Sequence, residues 1–439
     1  MRVSIIIVNF NGSHHLQKLF ESICELNYPK NDLEMIFFDN GSTDNSLEIA
    51  KKYYPQIEII QSDINKGFSA PHRIAAQQAQ GEILAFLNND MRVDPNWIKE
   101  GVTYLKPEQN IVCVSSKIFS WDGKSIDFNG GSLQYLGYAD QYHKNEIKDN
   151  EYILFPCGGA MLIFKEVFLK VGCFDDDYFA IFEDVDLGWR LWLMGYKIVM
   201  SEKSFVYHKG HATLNSRNES KKRYLMHKNA LVTIIKNYDE DNLKKILPVA
   251  INLAIKRAML FLNIDKRSFY FWEDGSTEKV FSNTQNNVEG FLHLAVIDDV
   301  FDEYEHIMAK RRDVQEKRII KDSEVFELFK EPLRNIMGFK EYLWQESSLL
   351  DYFYIHELFE CRQQLSNNLD HGVYLARNDL SQLRREINKL SIHENNLKFP
   401  RKNIDSIWKK FSNRTRDQGL LSTLKYSMVY CINKIKRKL

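Results

Sequence analysis

Four groups of residues in this sequence have the types and spacing for chemistry on a phosphorylated ligand. The first is Asn88-Asn89-Asp90, where the apolar run 83–87 stops on two amides and a carboxylate. A continuous apolar run of this length reads as a buried strand of a parallel sheet. Ligands of open α/β sheets gather beyond the carboxyl ends of such strands. Asp90 is therefore a candidate ligand for Mg²⁺ or Mn²⁺ held against a nucleotide diphosphate, because Mg²⁺ takes one or two carboxylates plus phosphate oxygens and water. Asn88 or Asn89 would touch ribose or phosphate. A turn after a strand favours the same residue types on backbone grounds alone.

Asp39 closes a second apolar run, 33–38, where a carboxylate can accept hydrogen bonds from a nucleotide base or ribose. It equally suits a turn at Gly41-Ser42. Glu183-Asp184 opens a helix, where acids interact well with the helix dipole. Three acids in four positions (Glu183, Asp184, Asp186) exceed what capping needs, and one is a candidate general base for an acceptor hydroxyl. Trp189 and Trp192 nearby offer flat surfaces suited to a sugar ring. His208 and His211 follow a short apolar run, and histidine can complete a metal site. The value of that pair depends on Asp90 being a metal ligand.

The elements that must position these groups alternate. Apolar runs 3–8, 33–38, 57–60 and 83–87 are separated by helical patterns over 14–26, 45–54 and 69–80. That alternation predicts a parallel sheet with helices on both faces. Beyond it, 111–119 reads as a strand and 121–142 as hairpins and loops rich in Gly and aromatics. Gly158-Gly159-Ala160 precedes a further apolar run, and short runs at 198–200 and 205–208 complete the unit. From about Ser220 helical spacing dominates. The expected division is an α/β domain over 1–238, a helical domain over 239–400 and a basic amphipathic tail over 401–439.

The bulk numbers exclude little but agree with this. The chain has 439 residues, 44% hydrophobic and 27% charged, with zero net charge, so no global field argues for nucleic acid. Residues 401–439 hold eleven Lys or Arg against Asp405 and Asp417, a local charge of +9. Six scattered cysteines suit reduced thiols better than a disulfide framework or zinc site. The N-terminus enters a strand at Val3 without a basic region or cleavage site, so no signal peptide is expected. The apolar stretch 246–264 is broken by Pro248, Asn252, Lys256 and Arg257, which argues against a membrane span. A cytoplasmic location, or a peripheral one on the inner face of the cell membrane, is expected. The segment 420–439 places Leu421, Leu424, Met428, Ile432 and Ile435 at helical spacing beside basic residues. It reads either as a solvated basic tail or as a helix lying on an anionic membrane surface. Segment 375–397 is a candidate for self-association into a homo-oligomer.

Taken in order, Asn9-Phe10-Asn11-Gly12, Asp39-Asn40-Gly41-Ser42-Thr43-Asp44, Asn65-Lys66-Gly67-Phe68, Asn88-Asn89-Asp90, Gly158-Gly159-Ala160, Glu183-Asp184 and His208 resemble the family 2 inverting glycosyltransferases. The likeness is strongest to the bacterial branch that builds cell-surface polysaccharides, with its rhamnosyltransferase-like members. It covers roughly 3–235 and continues more weakly through the basic segment 310–318. The resemblance implies a GT-A fold (α/β, Rossmann-like, of the nucleotide-diphospho-sugar transferase type) followed by a mainly α-helical C-terminal region. It implies a UDP- or dTDP-sugar donor, Mg²⁺ or Mn²⁺, and a growing glycan or lipid-linked glycan as acceptor. Asp39 would hold the base, and Asn9, Asn65, Asn88 and Asn89 would belong to the donor site. Asp90 would bind the metal, His208 would be a further metal or diphosphate ligand, Asp184 would be the base, and Glu183 would support it or contact the acceptor. Two departures stand out: Asn88 replaces the first Asp of the family's Asp-x-Asp signature, and His72-Arg73 replaces small or amide residues. Arg73 would neutralise phosphate charge, or else cover the third helix. A sugar-nucleotide nucleotidylyltransferase would need a Gly-rich basic loop after the first strand, which is missing here. A degenerate glycan-binding or scaffold protein would be expected to lack Asp90 or Asp184, and both are present.

Overall fold

The computed structural model describes residues 1–142, 147–210, 219–264 and 288–359, all within one compact unit, Met1–Glu360. The segments 375–397 and 401–439, and His211, lie outside the described residues. The expected alternation is present as β1 (Val3–Asn9), α1 (Ser13–Cys24), β2 (Leu33–Asp39), α2 (Ser46–Tyr53), β3 (Glu58–Gln61), α3 (Ser69–Gln78) and β4 (Ile83–Leu87). There follow β5 (Met91–Val93), α4 (Trp97–Tyr104), β6 (Ile111–Ser120) and the short strands β7 (Ile126–Phe128), β8 (Gly131–Leu133) and β9 (Ala139–Gln141). The α/β part ends with β10 (Ala160–Phe164), α5 (Lys165–Lys170), α6 (Glu183–Leu193) and β11 (Lys197–His208).

The main sheet runs β3-β2-β1-β4-β10-β6-β11-β5, with β7 paired on β6. The strands β3, β2, β1 and β4 are parallel, β10 is antiparallel to both neighbours, and β5 is antiparallel to β11. The sheet is thus mixed, which the continuous apolar runs alone do not distinguish from an all-parallel one. Both faces are buried: one against α1 and α4 through Leu16, Phe20 and Trp97, the other through Ala75, Ala76 and Phe168. Burial on both faces is why the strands read as unbroken Val, Ile and Phe runs rather than alternating ones.

Helices α7 (Glu219–Asn237), α8 (Glu240–Phe261), α9 (Val288–Asp302), α10 (Tyr304–Lys317), α11 (Asp322–Val325) and α12 (Lys340–Tyr352) form the rest of the unit. They share a core with the α/β part in which Tyr135, Tyr178 and Trp189 meet Ile234, Leu253 and Tyr342. No described helix is long and apolar enough to cross a membrane. The basic segment 310–318 has a specific use. Arg311 donates to the carbonyls of Ile235 (2.7 Å) and Tyr238 (2.5 Å), Gln315 to that of Lys236 (2.9 Å), and Arg318 to that of Asn237. These are the last carbonyls of α7, which have no partner within the helix.

Candidate functional site

Strand register brings the sequence-predicted residues together. Asn9 and Asp39 are direct partners at the ends of β1 and β2, and His208, the last residue of β11, pairs with Met91, the residue after Asp90. At this edge Asn9 Oδ1 accepts from Asn89 Nδ2 at 2.7 Å, and Asn9 Nδ2 donates to Ser42 Oγ at 3.2 Å. Gly12 makes room for the pair, since a Cβ there would fall 2.2 Å from Asn89 Nδ2. Asn88 packs against Gly159, where a Cβ would lie 2.6 Å from Asn88 Nδ2. Asn65 is exposed and shapes the neighbouring turn: its Oδ1 accepts from Asn40 Nδ2 (3.0 Å) and the Gly67 amide (2.8 Å). Asp39 is buried, and its Oδ1 has no hydrogen-bond partner among the described residues.

Asp90 is buried too, and its Oδ1 is equally unpartnered. Its Oδ2 lies 3.2 Å from His208 Nε2, while His208 Nδ1 lies 2.5 Å from Asp127 Oδ2. One imidazole thus sits between two carboxylates, each on a different ring nitrogen. Burial alone would lower the His208 pKa, but hydrogen bonds and charge from Asp127 and Asp90 carry it up to about 9. Burial alone would raise Asp90, and His208 holds it below the usual carboxylate range. An orphaned carboxylate oxygen beside an imidazole whose far nitrogen is fixed by a second carboxylate fits a divalent cation. Carboxylate and imidazole are ordinary Mn²⁺ and Mg²⁺ donors, and metal-bound His normally gives its other nitrogen to such a partner. Asp127, on β7 in the hairpin region, is the member that the sequence reading missed.

The acid pair has its own support. Asp184 Oδ2 accepts from the Gly158 amide at 2.9 Å and Oδ1 from the Val185 amide at 2.8 Å. Glu183 Oε2 is buried without a partner among the described residues. Burial and then the charge of Asp184 push Glu183 up to about 8. Burial raises Asp184 as well, opposed by the Gly158 and Val185 amides. Two amides donate to Asp184, whereas Glu183 Oε2 has no donor among the described residues. Two neighbouring acids are thereby given different surroundings, which is how a pair of carboxyls can be set to different roles. The turn before them is strained: Ile181 and Phe182 have φ of +74° and +69°. Such conformations cost roughly 1–3 kcal/mol each and persist only where the surroundings impose them. Here Asn229 of α7 donates from Nδ2 to the carbonyls of Ala180 (2.9 Å) and Ile181 (2.6 Å).

Three sequence expectations are placed differently. Asp186 belongs to a buried charge cluster: Arg190 Nε lies 2.8 Å from its Oδ2, Lys236 Nζ 2.9 Å from its Oδ1, and Lys236 also reaches Asp175 Oδ2 at 2.5 Å. Trp189 is no sugar platform, because it is fully buried edge-on against Tyr238 and Phe329; Trp192 donates to the Ile153 carbonyl. Arg73 gives its guanidinium to Asp176 through Nε (2.9 Å) and Nη2 (2.7 Å). One other group among the described residues, His227, Glu289 and His293, could gather around a metal. Glu289 is already paired with Arg223 at 2.9 Å, and the charge of Arg257 adds to burial in keeping both imidazoles neutral.

Residues 4–172 match the family model "Glycosyl transferase family 2". Among curated relatives, Glycosyltransferase AglE of Haloferax volcanii is 29% identical over 30% of this chain and 40% of its own length. The poly(ribitol-phosphate) beta-N-acetylglucosaminyltransferase TarS of Staphylococcus aureus is 27% identical over 36% of this chain and 30% of its own. The chain thus spans less than half the length of these two relatives. Among solved structures, GalNAc-T7 with UDP, GalNAc and Mn2+ superposes with a TM-score of 0.46 at 17% identity, covering 57% of this chain and 51% of that one. The stretch that matches the family 2 glycosyltransferase model takes in Asn9, Asp39 and Asp90 at this sheet edge, while His208 on β11 lies beyond it.

Proposed function

We propose that this chain transfers a sugar from a nucleotide-diphosphate sugar, UDP- or dTDP-linked, to a hydroxyl of a cell-surface glycan or a lipid-linked glycan, inverting the anomeric centre. The observation that carries the proposal is the pair of buried, unpartnered carboxylate oxygens, on Asp39 and Asp90, at one carboxyl edge of the sheet. In a folded protein buried acceptors are nearly always satisfied, so two orphans at the mouth of a sheet are consistent with donors on a ligand. Asp39 would take a hydrogen bond from the base or ribose. Asn9 and Asn89, locked to each other, would line the phosphate side with Asn88, and Asn65 holds the turn beside Asp39. Asp90 and His208 would hold Mg²⁺ or Mn²⁺, which supplies charge neutralisation for the departing diphosphate.

Asp184 is the base. Its ionised carboxylate is aimed by the Gly158 and Val185 amides and receives the proton of the acceptor hydroxyl as that oxygen attacks. Glu183, protonated beside it, supports Asp184 by leaving the shared negative charge on the residue that must accept the proton. Attack and departure occur in one displacement, so no nucleophilic side chain is required. Arg73 is left out of the diphosphate site because Asp176 already matches its charge.

The test is a binding and hydrolysis screen across UDP-, dTDP- and GDP-sugars with Mg²⁺ or Mn²⁺. Wild type should bind one donor. Asp90→Ala should lose the metal dependence. Asp184→Asn should keep donor binding while turnover falls by roughly 10²–10⁴-fold, the usual span of general-base catalysis. Absence of binding to every nucleotide sugar under both metals would refute the assignment.

A further inference from the structure

The turn that leads into Glu183 and Asp184 is held at four successive carbonyls. Ser69 Oγ donates to that of Tyr178 at 2.6 Å, the Phe68 amide to that of Phe179 at 2.6 Å, and Asn229 Nδ2 to those of Ala180 and Ile181. The aromatic side chains of this turn are divided. Tyr178 is buried with its hydroxyl 2.7 Å from Thr233 Oγ1, and Phe182 packs on the same core, but Phe179 is 45% exposed. Single exposed rings are common on protein surfaces and need no explanation by themselves. Phe179 is set apart by where its backbone is fixed.

Phe179 lies on Gly67, where a Cβ would fall 2.3 Å from the Phe179 carbonyl oxygen and 2.8 Å from its ring carbon Cδ2. Gly67 also has a φ of +80°, so the turn needs glycine on backbone grounds as well. That turn is tied to the residue after Asp39. Asn40 Nδ2 donates to the Gly67 carbonyl at 2.8 Å, and Asn40 Oδ1 accepts from the Lys66 amide at 2.9 Å. On the other side, Phe68 and Asp184 border one glycine: a Cβ on Gly158 would lie 3.4 Å from ring carbons of Phe68 and 3.4 Å from Asp184 Cβ. An exposed ring on immobilised backbone is thus carried on the seam where the turn beside Asp39 meets the loop of the acid pair.

The ring itself narrows the ligand. A phenyl group offers flat apolar area and no hydrogen bond, and with its backbone already fixed it gives up little entropy on contact. A pyranose presents a face of C–H groups that such a ring can cover, whereas an open-chain polyol has no flat face. We propose that Phe179 is an acceptor-binding residue, whose exposed ring stacks on the apolar face of a neutral sugar while that sugar's hydroxyl reaches Asp184. Identifying the sugar as the acceptor rests on the glycosyl-transfer reading given above. Stacking of a sugar on the ring does not depend on it.

The experiment is saturation-transfer NMR on the full chain with Mg²⁺ and UDP or dTDP, with nucleotide affinity measured alongside by calorimetry. The probes are methyl β-glucoside, methyl β-N-acetylglucosaminide and methyl α-rhamnoside, with ribitol as the control that has no ring. At least one glycoside should bind. Phe179→Ala should weaken it roughly five- to twentyfold, the span for covering about 40–70 Å² of apolar ring at ~25 cal/mol per Å². Phe179→Leu, which keeps bulk over Gly67 but has no flat face, should weaken it as much, and Phe179→Trp should retain it. Nucleotide affinity and melting temperature should be the same in all four proteins, because the carbonyl bonds that fix the turn do not use this side chain. Equal glycoside binding by wild type and Phe179→Leu would overturn the proposal, as would an equal loss of ribitol binding or a matching loss of nucleotide affinity. Binding of no glycoside by a chain that binds nucleotide would overturn it too. Glycoside binding that responds to Phe179 in a chain that binds neither nucleotide would uphold the stacking site and sink the transfer reading instead, and a chain that binds neither class of probe would sink both.

Discussion

Replacing Asp127 by Asn tests the arrangement around His208 most directly. The carboxylate does two things there: it accepts from Nδ1, so that Nε2 is the nitrogen presented to Asp90, and it supplies a negative charge behind the ring. Asparagine keeps an acceptor oxygen but loses the charge, and its amide end offers a donor that favours the wrong tautomer. Outer partners of metal-bound histidines are typically worth 10- to 100-fold in metal affinity. Asp127 is 37% exposed, so water screens part of its charge, which places the expected loss near the lower end, about tenfold, or ~1.4 kcal/mol. The assay is a Mn²⁺ titration followed by electron paramagnetic resonance in the presence of UDP, with His208→Ala as the reference for complete loss. Thermal stability should be nearly unchanged, because the pair is partly exposed. A Mn²⁺ affinity for Asp127→Asn within twofold of wild type would show that the 2.5 Å contact has no positioning role. The reasoning about the imidazole between two acids would then be wrong.

Two further outcomes follow from buried charge. Lys236→Met removes the cation shared by Asp175 and Asp186, and breaking a buried pair costs roughly 3–5 kcal/mol. Arg190 and Lys310 remain as partners, so a loss of about 3 kcal/mol is expected in urea unfolding, and a loss under 1 kcal/mol would count against it. Glu183, with a folded-state pKa of about 8 against an ordinary 4.5, binds its proton more tightly when the chain is folded. Its contribution to stability is fully present below about pH 4.5 and is lost as pH rises through about 8. Glu183→Gln should therefore flatten the decline in melting temperature between those values; parallel pH profiles for the two proteins would refute it.

Much of this sheet edge was legible because it is made of strand ends. A continuous apolar run that stops on a polar residue marks both a strand and its boundary, and parallel register then forces Asn9 beside Asp39. His208 was legible for the same reason, at the end of β11. Asp127 was not, because it comes from a three-residue strand in a stretch whose composition signals only turns. The helix after Phe182 shows the limit of spacing read without register. Asp184 and Asp186 are two residues apart, about 200° around a helix, so they face opposite ways. One meets the Gly158 amide, and the other turns into the core toward Lys236. Trp189 follows the inward face, which is why a ring that suits a sugar by type is packed against Tyr238 instead. The basic segment 310–318 reads as a surface stripe by composition, yet Arg311 is 4% exposed, because the carbonyls it serves become visible only once α7 has ended beside it.

The Asn229 contact bears on how this protein can be altered. Its amide grips two peptide oxygens and no side chain, so its hold on the turn before the acid pair runs through the backbone. The instruction that fixes the turn is written nearly fifty positions downstream, on a helix beyond the stretch that matches the family model. Grafting the strand-rich part onto another scaffold would carry Glu183 and Asp184 along but leave behind what points them.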